Sequence, residues 1–245
     1  FNREELLGRE LDTLNLQWAW LVFKSAFIGV PGPFWAWWRM NVWGTLKSLK
    51  WSILLALLFT LGGALIGSAQ AEVFSIPADL LDWENLEEGL VTGIEEIGPI
   101  RFFSIKGAGI ILFHNLRAIA LASLMGIFSF GVLGIITLVF PFSIIGYFTG
   151  VAGQTGLSPW KFLFGFVIPH GIFEIPAIIL AGALIIRLGL ILVTPNEEYT
   201  IGEAWVRTLA DWTRIMLLVI FPLLLAAAFI EVYITPLVAL KIFGQ

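Results

Sequence analysis

The chain has 245 residues, of which 58% are hydrophobic and only 13% are charged, and its formal net charge is −4 at pH 7. Soluble domains have about 45–50% apolar and about 25% charged residues, so this composition excludes a soluble enzyme and a disordered chain. The acidic balance gives no indication of nucleic-acid binding, and the absence of cysteine excludes disulfides, thiolate metal sites and cysteine nucleophiles.

The first fifty residues have the pattern of two amphipathic helices. Apolar residues recur at helical spacing from Leu7 to Leu21, Pro31-Gly32-Pro33 ends this stripe, and a second stripe runs from Trp35 to Leu49. Seven of the eleven tryptophans lie in residues 1–51, and indole prefers the headgroup level of a membrane. We predict that residues 1–50 lie in the cytoplasmic interface, where they either anchor the bundle or form a docking surface for a cytoplasmic partner. Because the sequence begins with Phe1, we expect the natural N-terminus to lie upstream.

Five apolar stretches follow that are candidate membrane segments, since a spanning helix needs about 20 predominantly apolar residues. The third is short and interrupted by glycine, and the fourth contains Pro169 and Pro176, so these two are candidates for re-entrant or broken helices. The predicted fold is an all-α polytopic membrane helix bundle with N-terminal amphipathic interfacial helices. The five predicted segments are residues 51–71, 110–141, 142–156, 161–193 and 215–236.

The distribution of charge predicts the orientation of this bundle. Six basic residues precede the first segment, whereas the loop at residues 72–109 holds eight acidic residues and no basic residue before Arg101. By the positive-inside rule the N-terminus is cytoplasmic and the acidic loop is extracytoplasmic. We therefore predict an integral protein of the cytoplasmic membrane, surrounded by lipid, in which residues 110–245 form a four-segment bundle.

Small residues four positions apart, which allow helices to approach closely in lipid, occur in four of the predicted segments. They predict a tight bundle and favour a homo-oligomer, with a homodimer as its simplest form, or contacts with other membrane or envelope proteins. The residues concerned are Gly63 and Gly67, Ala118, Ala122 and Gly126, Gly146 and Gly150, and Ala177 and Ala181.

Polar side chains at membrane depth are costly and usually face the bundle interior. His170 and Glu174 are four residues apart and share one helix face, whereas Arg187 is close enough to a membrane surface to snorkel. Three roles stay open: pairs that tie helices together, a proton- or ligand-linked site, and a metal site built from His114, His170 and Glu174. The six candidate residues are His114, Asn115, Arg117, His170, Glu174 and Glu231.

Sequence motifs of catalysis are missing from the chain. It contains no GxSxG, Walker A or HExxH motif, and nothing arranges its serine, histidine and carboxylate residues as a triad. We therefore predict a protein that is not an enzyme and that needs no cofactor.

Three stretches of the second half of the chain carry a family resemblance. They are residues 113–118 (FHNLRA), residues 169–177 (PHGIFEIPA) followed by Ala181-Gly182, and Phe229-Ile230-Glu231 with Thr235-Pro236. Over residues 110–240 the chain resembles the stage II sporulation protein M family of integral membrane proteins. The Pro-His-Gly-x-x-Glu stretch is the most specific sign of this resemblance.

The resemblance implies a multi-pass membrane protein that works with partners. In spore-forming bacteria the family member is a membrane component of the complex that remodels peptidoglycan during engulfment. We therefore expect a non-enzymatic scaffold or assembly subunit of an envelope-associated membrane complex. Two alternatives stay open: the transmembrane subunit of a transporter or channel with a buried His/Glu site, and an accessory subunit of a larger membrane complex.

Overall fold

The computed structural model describes residues 15–74, 103–191 and 199–243, and these residues form helices joined by short turns, without β-strands. The predicted all-α fold is confirmed. Most of the predicted acidic loop, and the N-terminal part of the first amphipathic stripe, lie outside the described residues. The helices are α1 (Leu16–Ile28), α2 (34–48), α3 (Lys50–Val73), α4 (Ile105–Phe128), α5 (Val132–Gln154), α6 (Pro159–Phe166), α7 (Ile168–Leu190), α8 (Ile201–Tyr233) and α9 (Thr235–Phe243).

Five of these helices, α3, α4, α5, α7 and α8, are long and apolar enough to cross a membrane, as predicted. Helix α7 is the central one, because it packs against each of the other four. The main apolar core forms where α7 meets α8, and its fully buried side chains include Leu184, Ile185, Ile220 and Leu224. Most outward-facing positions of the same five helices are apolar, as expected for helices that contact lipid, and His114 and Arg117 of α4 are exceptions.

The closest helix pair in the bundle is α3 against α5. Glycine allows this approach, because a Cβ at Gly67 would collide with the backbone of Ser143, and one at Gly146 would collide with the backbone of Ala64. Gly63 and Gly150 lie at the same interface. These predicted small-residue pairs therefore pack α3 against α5 within one protomer. They give no support to the predicted interface between two copies of the chain.

The boundary between the second and third membrane segments differs from the predicted division at residues 141 and 142. Helix α4 ends at Phe128, and Gly131, with φ +90°, starts α5 while its N–H bonds to the carbonyl of Gly126 at 2.7 Å. The sequence pattern does not indicate this turn, because the turn is uncharged and lacks proline. Pro141, where the sequence analysis divided the two segments, lies inside α5. Helix α5 is one continuous helix of 23 residues rather than a short re-entrant segment.

The predicted fourth segment is interrupted at another place than expected. The break falls at Val167, between α6 and α7, and α7 continues through Pro176. Pro169 lies in the first turn of α7, where the missing N–H costs no intrahelical hydrogen bond. Helix α8 begins at Ile201, well before the predicted start at residue 215, and is π-helical over Met216–Ile220 just ahead of Pro222.

Replacing Gly67 by alanine is expected to lower the melting temperature of the purified protein, because the added Cβ would meet the backbone of Ser143. Overpacking of this kind costs roughly 1–3 kcal/mol. The matched control is Gly62→Ala on the same helix, where a Cβ meets nothing within 4 Å and alanine is favoured over glycine by about 0.5–1 kcal/mol. Thermal unfolding in detergent, followed by circular dichroism, compares the two variants; equal stability would contradict the α3–α5 packing.

Candidate functional site

A cavity of about 440 Å³ lies between α4, α5, α7 and α8, near the end of the bundle where α7 begins. Its walls are mainly apolar and include Ile111, Phe142, Ile145 and Ile178. Five of the six polar residues selected from the sequence line it, so the fold brings residues from three helices to one place. These five are His114, Asn115, His170, Glu174 and Glu231.

The close group in this cavity consists of His170, Glu174 and Glu231, here called the His/Glu group. One potential ligand atom from each of these three residues lies within 4.8 Å of those of the other two. His170 Nε2 is 3.7 Å from Glu174 Oε2. Asn115 Nδ2 donates a hydrogen bond to Glu174 Oε1 at 3.3 Å and so orients this carboxylate from α4.

The ring of His170 is held from its other nitrogen. His170 Nδ1 lies 3.2 Å from Thr235 Oγ1, and the Thr235 hydroxyl in turn donates to the carbonyl of Ile230 at 3.3 Å. Because a hydroxyl has a single proton, Nδ1 is the donor to Thr235 in the tautomer in which Thr235 donates to Ile230. The Nε2 atom then keeps its lone pair and points toward Glu174.

The remaining candidates lie apart from the His/Glu group. His114 lines the cavity but is solvent-exposed or lipid-exposed and is not a member of the close group. Arg117 is exposed and does not line the cavity, and in the described part of the chain no ion pair joins it to Glu174 or Glu231. The metal set expected from the sequence therefore differs from the observed geometry, in which Glu231 takes the place of His114.

A second polar cluster, not recognised in the sequence, lies at the opposite end of the bundle. Asp211 on α8 pairs with Arg214 and also lies 3.4 Å from Arg187 of α7. Arg187 donates to Ser48 Oγ at 2.9 Å, so it is tied to α2 rather than only snorkelling, and Thr45 donates to Asp211 at 3.4 Å. We call these five residues the arginine network. The sequence pattern missed it because Arg214 falls just before the predicted start of the fifth segment.

Together the fold and the cavity define a polytopic membrane protein with a polar group inside its helix bundle. Comparison with known proteins gives a match between residues 52–236 and the family described as stage II sporulation protein M. The chain belongs to the stage II sporulation protein M family, and the resemblance drawn from the sequence is confirmed. The matched residues include the His/Glu group and leave out α1 and α2.

An archaeal relative extends the comparison. An uncharacterized protein of Methanocaldococcus jannaschii is 34% identical over 133 residues, which cover 53% of this chain and 71% of that protein. No solved structure matches the chain.

Replacing Asp211 by asparagine is expected to destabilise the protein strongly, because it leaves Arg214, only 4% exposed, without its carboxylate. Breaking a buried pair in this way costs roughly 3–5 kcal/mol. The control is Glu203→Gln, which removes the half-exposed 2.8 Å pair with Arg207 on the same helix and should cost about 0–1 kcal/mol. Melting temperatures in detergent measure both effects, and a similar loss in the two variants would refute the structural role of the arginine network.

Proposed function

We propose that this protein is a non-enzymatic scaffold, an assembly subunit of an envelope-associated complex in the cytoplasmic membrane, with its N-terminus on the cytoplasmic side. The observation that carries the proposal is the hairpin of α1 and α2, which is fixed to the membrane bundle and turns aromatic side chains outward. A surface that is rigid before binding loses little conformational entropy when a partner docks.

The turn between α1 and α2 is closed by one side chain. Asn41, which is buried, accepts a hydrogen bond from the N–H of Val30 at 2.9 Å and donates to the carbonyls of Val30 and Trp37, both at 3.0 Å. Trp37 Nε1 donates to the carbonyl of Ile28 at 2.6 Å. These bonds hold the two helices in one arrangement across the Pro31-Gly32-Pro33 break.

The hairpin is also attached to the bundle. Helix α1 packs along the first part of α8, and the arginine network joins α2 to α7 and α8 through Ser48 and Thr45. The N-terminal helices are thus an integral part of the folded protein. This attachment supports a docking role more than a simple anchoring role, because an anchor needs no defined position relative to the bundle.

The outer side of the hairpin carries what we call the aromatic surface. Basic side chains lie beside it: Lys47 Nζ is 6.0 Å from the ring centroid of Trp43, and Lys50 Nζ is 5.5 Å from that of Trp51. Aromatic residues are enriched in protein interfaces and at the headgroup level, so lipid headgroups and a partner protein with acidic side chains fit this surface. It consists of Trp18, Trp20, Phe34, Trp35 and Trp43 on the hairpin together with Trp51 at the start of α3, each of them 41–78% exposed.

The transporter or channel alternative depended on a helix broken at Pro176, beside the His/Glu pair. Helix α7 runs without interruption through Pro176, and the break lies instead at Val167, three residues before His170. The sequence also lacks the usual hydrolase and nucleotide-binding motifs. The lack of these motifs favours a protein that performs no chemistry of its own, and the attached hairpin of α1 and α2 favours one that assembles others.

The double substitution Trp20→Ala and Trp35→Ala is expected to release the protein from its assembly while the protomer stays folded. The two side chains are 61% and 78% exposed, so their loss removes interface contacts without opening a core. Native mass measurement in mild detergent gives the size of the assembly, and circular dichroism checks the fold. The matched control replaces the exposed Leu65 and Phe128 on the membrane helices by alanine.

The outcomes separate the candidate partners. An assembly that the control keeps and the tryptophan variant loses supports the scaffold proposal. Masses at integer multiples of the protomer indicate a homo-oligomer, and other masses indicate different membrane or envelope proteins. A wild-type protein that occurs only as a single chain, or an assembly indifferent to both tryptophans, would contradict the proposal.

A further inference from the structure

We propose that the His/Glu group is a binding site for one divalent transition-metal ion, which clamps α7 to the end of α8. Ligand atoms bound to one tetrahedral Zn²⁺ ion at about 2.0–2.2 Å lie roughly 3.3–3.6 Å apart. The observed 3.7 Å between His170 Nε2 and Glu174 Oε2 is close to this spacing. Glu231 has a ligand atom within 4.8 Å of both, so small side-chain rotations complete a three-residue set.

The charges in the cavity favour a cation. Two carboxylates lie close together among apolar walls, and no lysine or arginine is present among the described residues that line the cavity. Carboxylates of this kind repel one another strongly where water is scarce. A divalent ion neutralises both Glu174 and Glu231, whereas a single shared proton neutralises one of them.

The orientation of His170 is that of a metal ligand. Metal-binding histidines usually donate their second ring N–H to a fixed acceptor, which sets the tautomer and the ring position. Thr235 Oγ1 can have this role, since it lies 3.2 Å from Nδ1, and in the tautomer with the proton on Nδ1 the Nε2 lone pair faces Glu174. Asn115 similarly orients Glu174.

The donor set indicates which ions fit. One imidazole nitrogen and carboxylate oxygens, without sulfur, suit Zn²⁺ or Mn²⁺ and disfavour copper(I), which prefers thiolate and thioether ligands. The open side of the cavity leaves room for water at the remaining coordination positions. Because the ligands come from α7 and α8, the bound ion would stabilise this end of the bundle. The proposal departs from the sequence analysis, which predicted that the protein needs no cofactor.

Metal titration of the purified full chain in mild detergent tests the proposal. After chelator treatment and buffer exchange, calorimetry with Zn²⁺ and separately with Mn²⁺ should show about one ion per chain, and the ion should raise the melting temperature. The variants Glu174→Gln, Glu231→Gln and His170→Gln should each weaken binding at least about tenfold. Glu203→Gln is the control, since this side chain pairs with Arg207 outside the cavity, and it should bind as the wild type does.

A spectroscopic measurement on the wild type keeps the test independent of how the variants fold. Electron paramagnetic resonance of the Mn²⁺-loaded protein should show coupling to a single imidazole nitrogen, from His170. The absence of that coupling, the absence of binding to folded protein between pH 6 and 8, or binding that survives all three ligand substitutions would overturn the proposal. The scaffold proposal is unaffected by these outcomes, because it depends on the aromatic surface.

Discussion

Hydrocarbon offers no partner to a charged side chain, so each ionisable group on a membrane helix must be matched inside the protein or reach water. This constraint accounts for the two polar clusters of the bundle, whereas Arg117, exposed near the middle of α4, belongs to neither of them. At one end, Asp211 lies between Arg187 and Arg214. At the other end, Glu174 and Glu231 approach each other beside His170 and Asn115, and His114 lines the same cavity. The first cluster has one carboxylate between two guanidinium groups, of which that of Arg187 is 34% exposed. The second has two carboxylates and no lysine or arginine among the described residues that line its cavity.

Helix α7 joins the two polar clusters, because His170 lies near its beginning and Arg187 near its end. Seventeen residues separate them, which corresponds to about 25 Å along a helix and compares with roughly 30 Å for the hydrocarbon core. Each cluster is thus expected near one membrane surface. Between them α7 is almost completely buried from Ala181 to Leu188, and its small residues allow the neighbouring helices to approach closely.

The features that could be predicted from sequence are those that depend on local composition. Apolar length gave the number of membrane helices, and the Pro-His-Gly-x-x-Glu stretch led to the family. The turn at residues 129–131 could not be predicted, because Ser129 and Phe130 interrupt the apolar run too weakly to mark a helix end. Only the packed structure, in which Gly189 of α7 touches Gly131, explains why the chain turns there.

The polar sites could be predicted only where local sequence spacing decides which residues meet. Residues four apart on one helix, such as His170 and Glu174, share a face whatever the tertiary structure. Whether His114 or Glu231 joins them depends on how α4 and α8 are rotated about their axes, which sequence spacing does not determine. The pairing of Arg187 with Ser48 depends in turn on α2 folding back onto the bundle.

The most direct test of the arrangement with five crossings, and of polar clusters near opposite surfaces, is labelling of single cysteines with a membrane-impermeant maleimide. The chain has no cysteine of its own, so each introduced thiol is the only reactive one. Cysteines at the exposed positions Lys47 and Gly202 should react only from the cytoplasmic side, and those at Lys161 and Lys241 only from the outside. Reaction of positions 47 and 161 from the same side would contradict the arrangement.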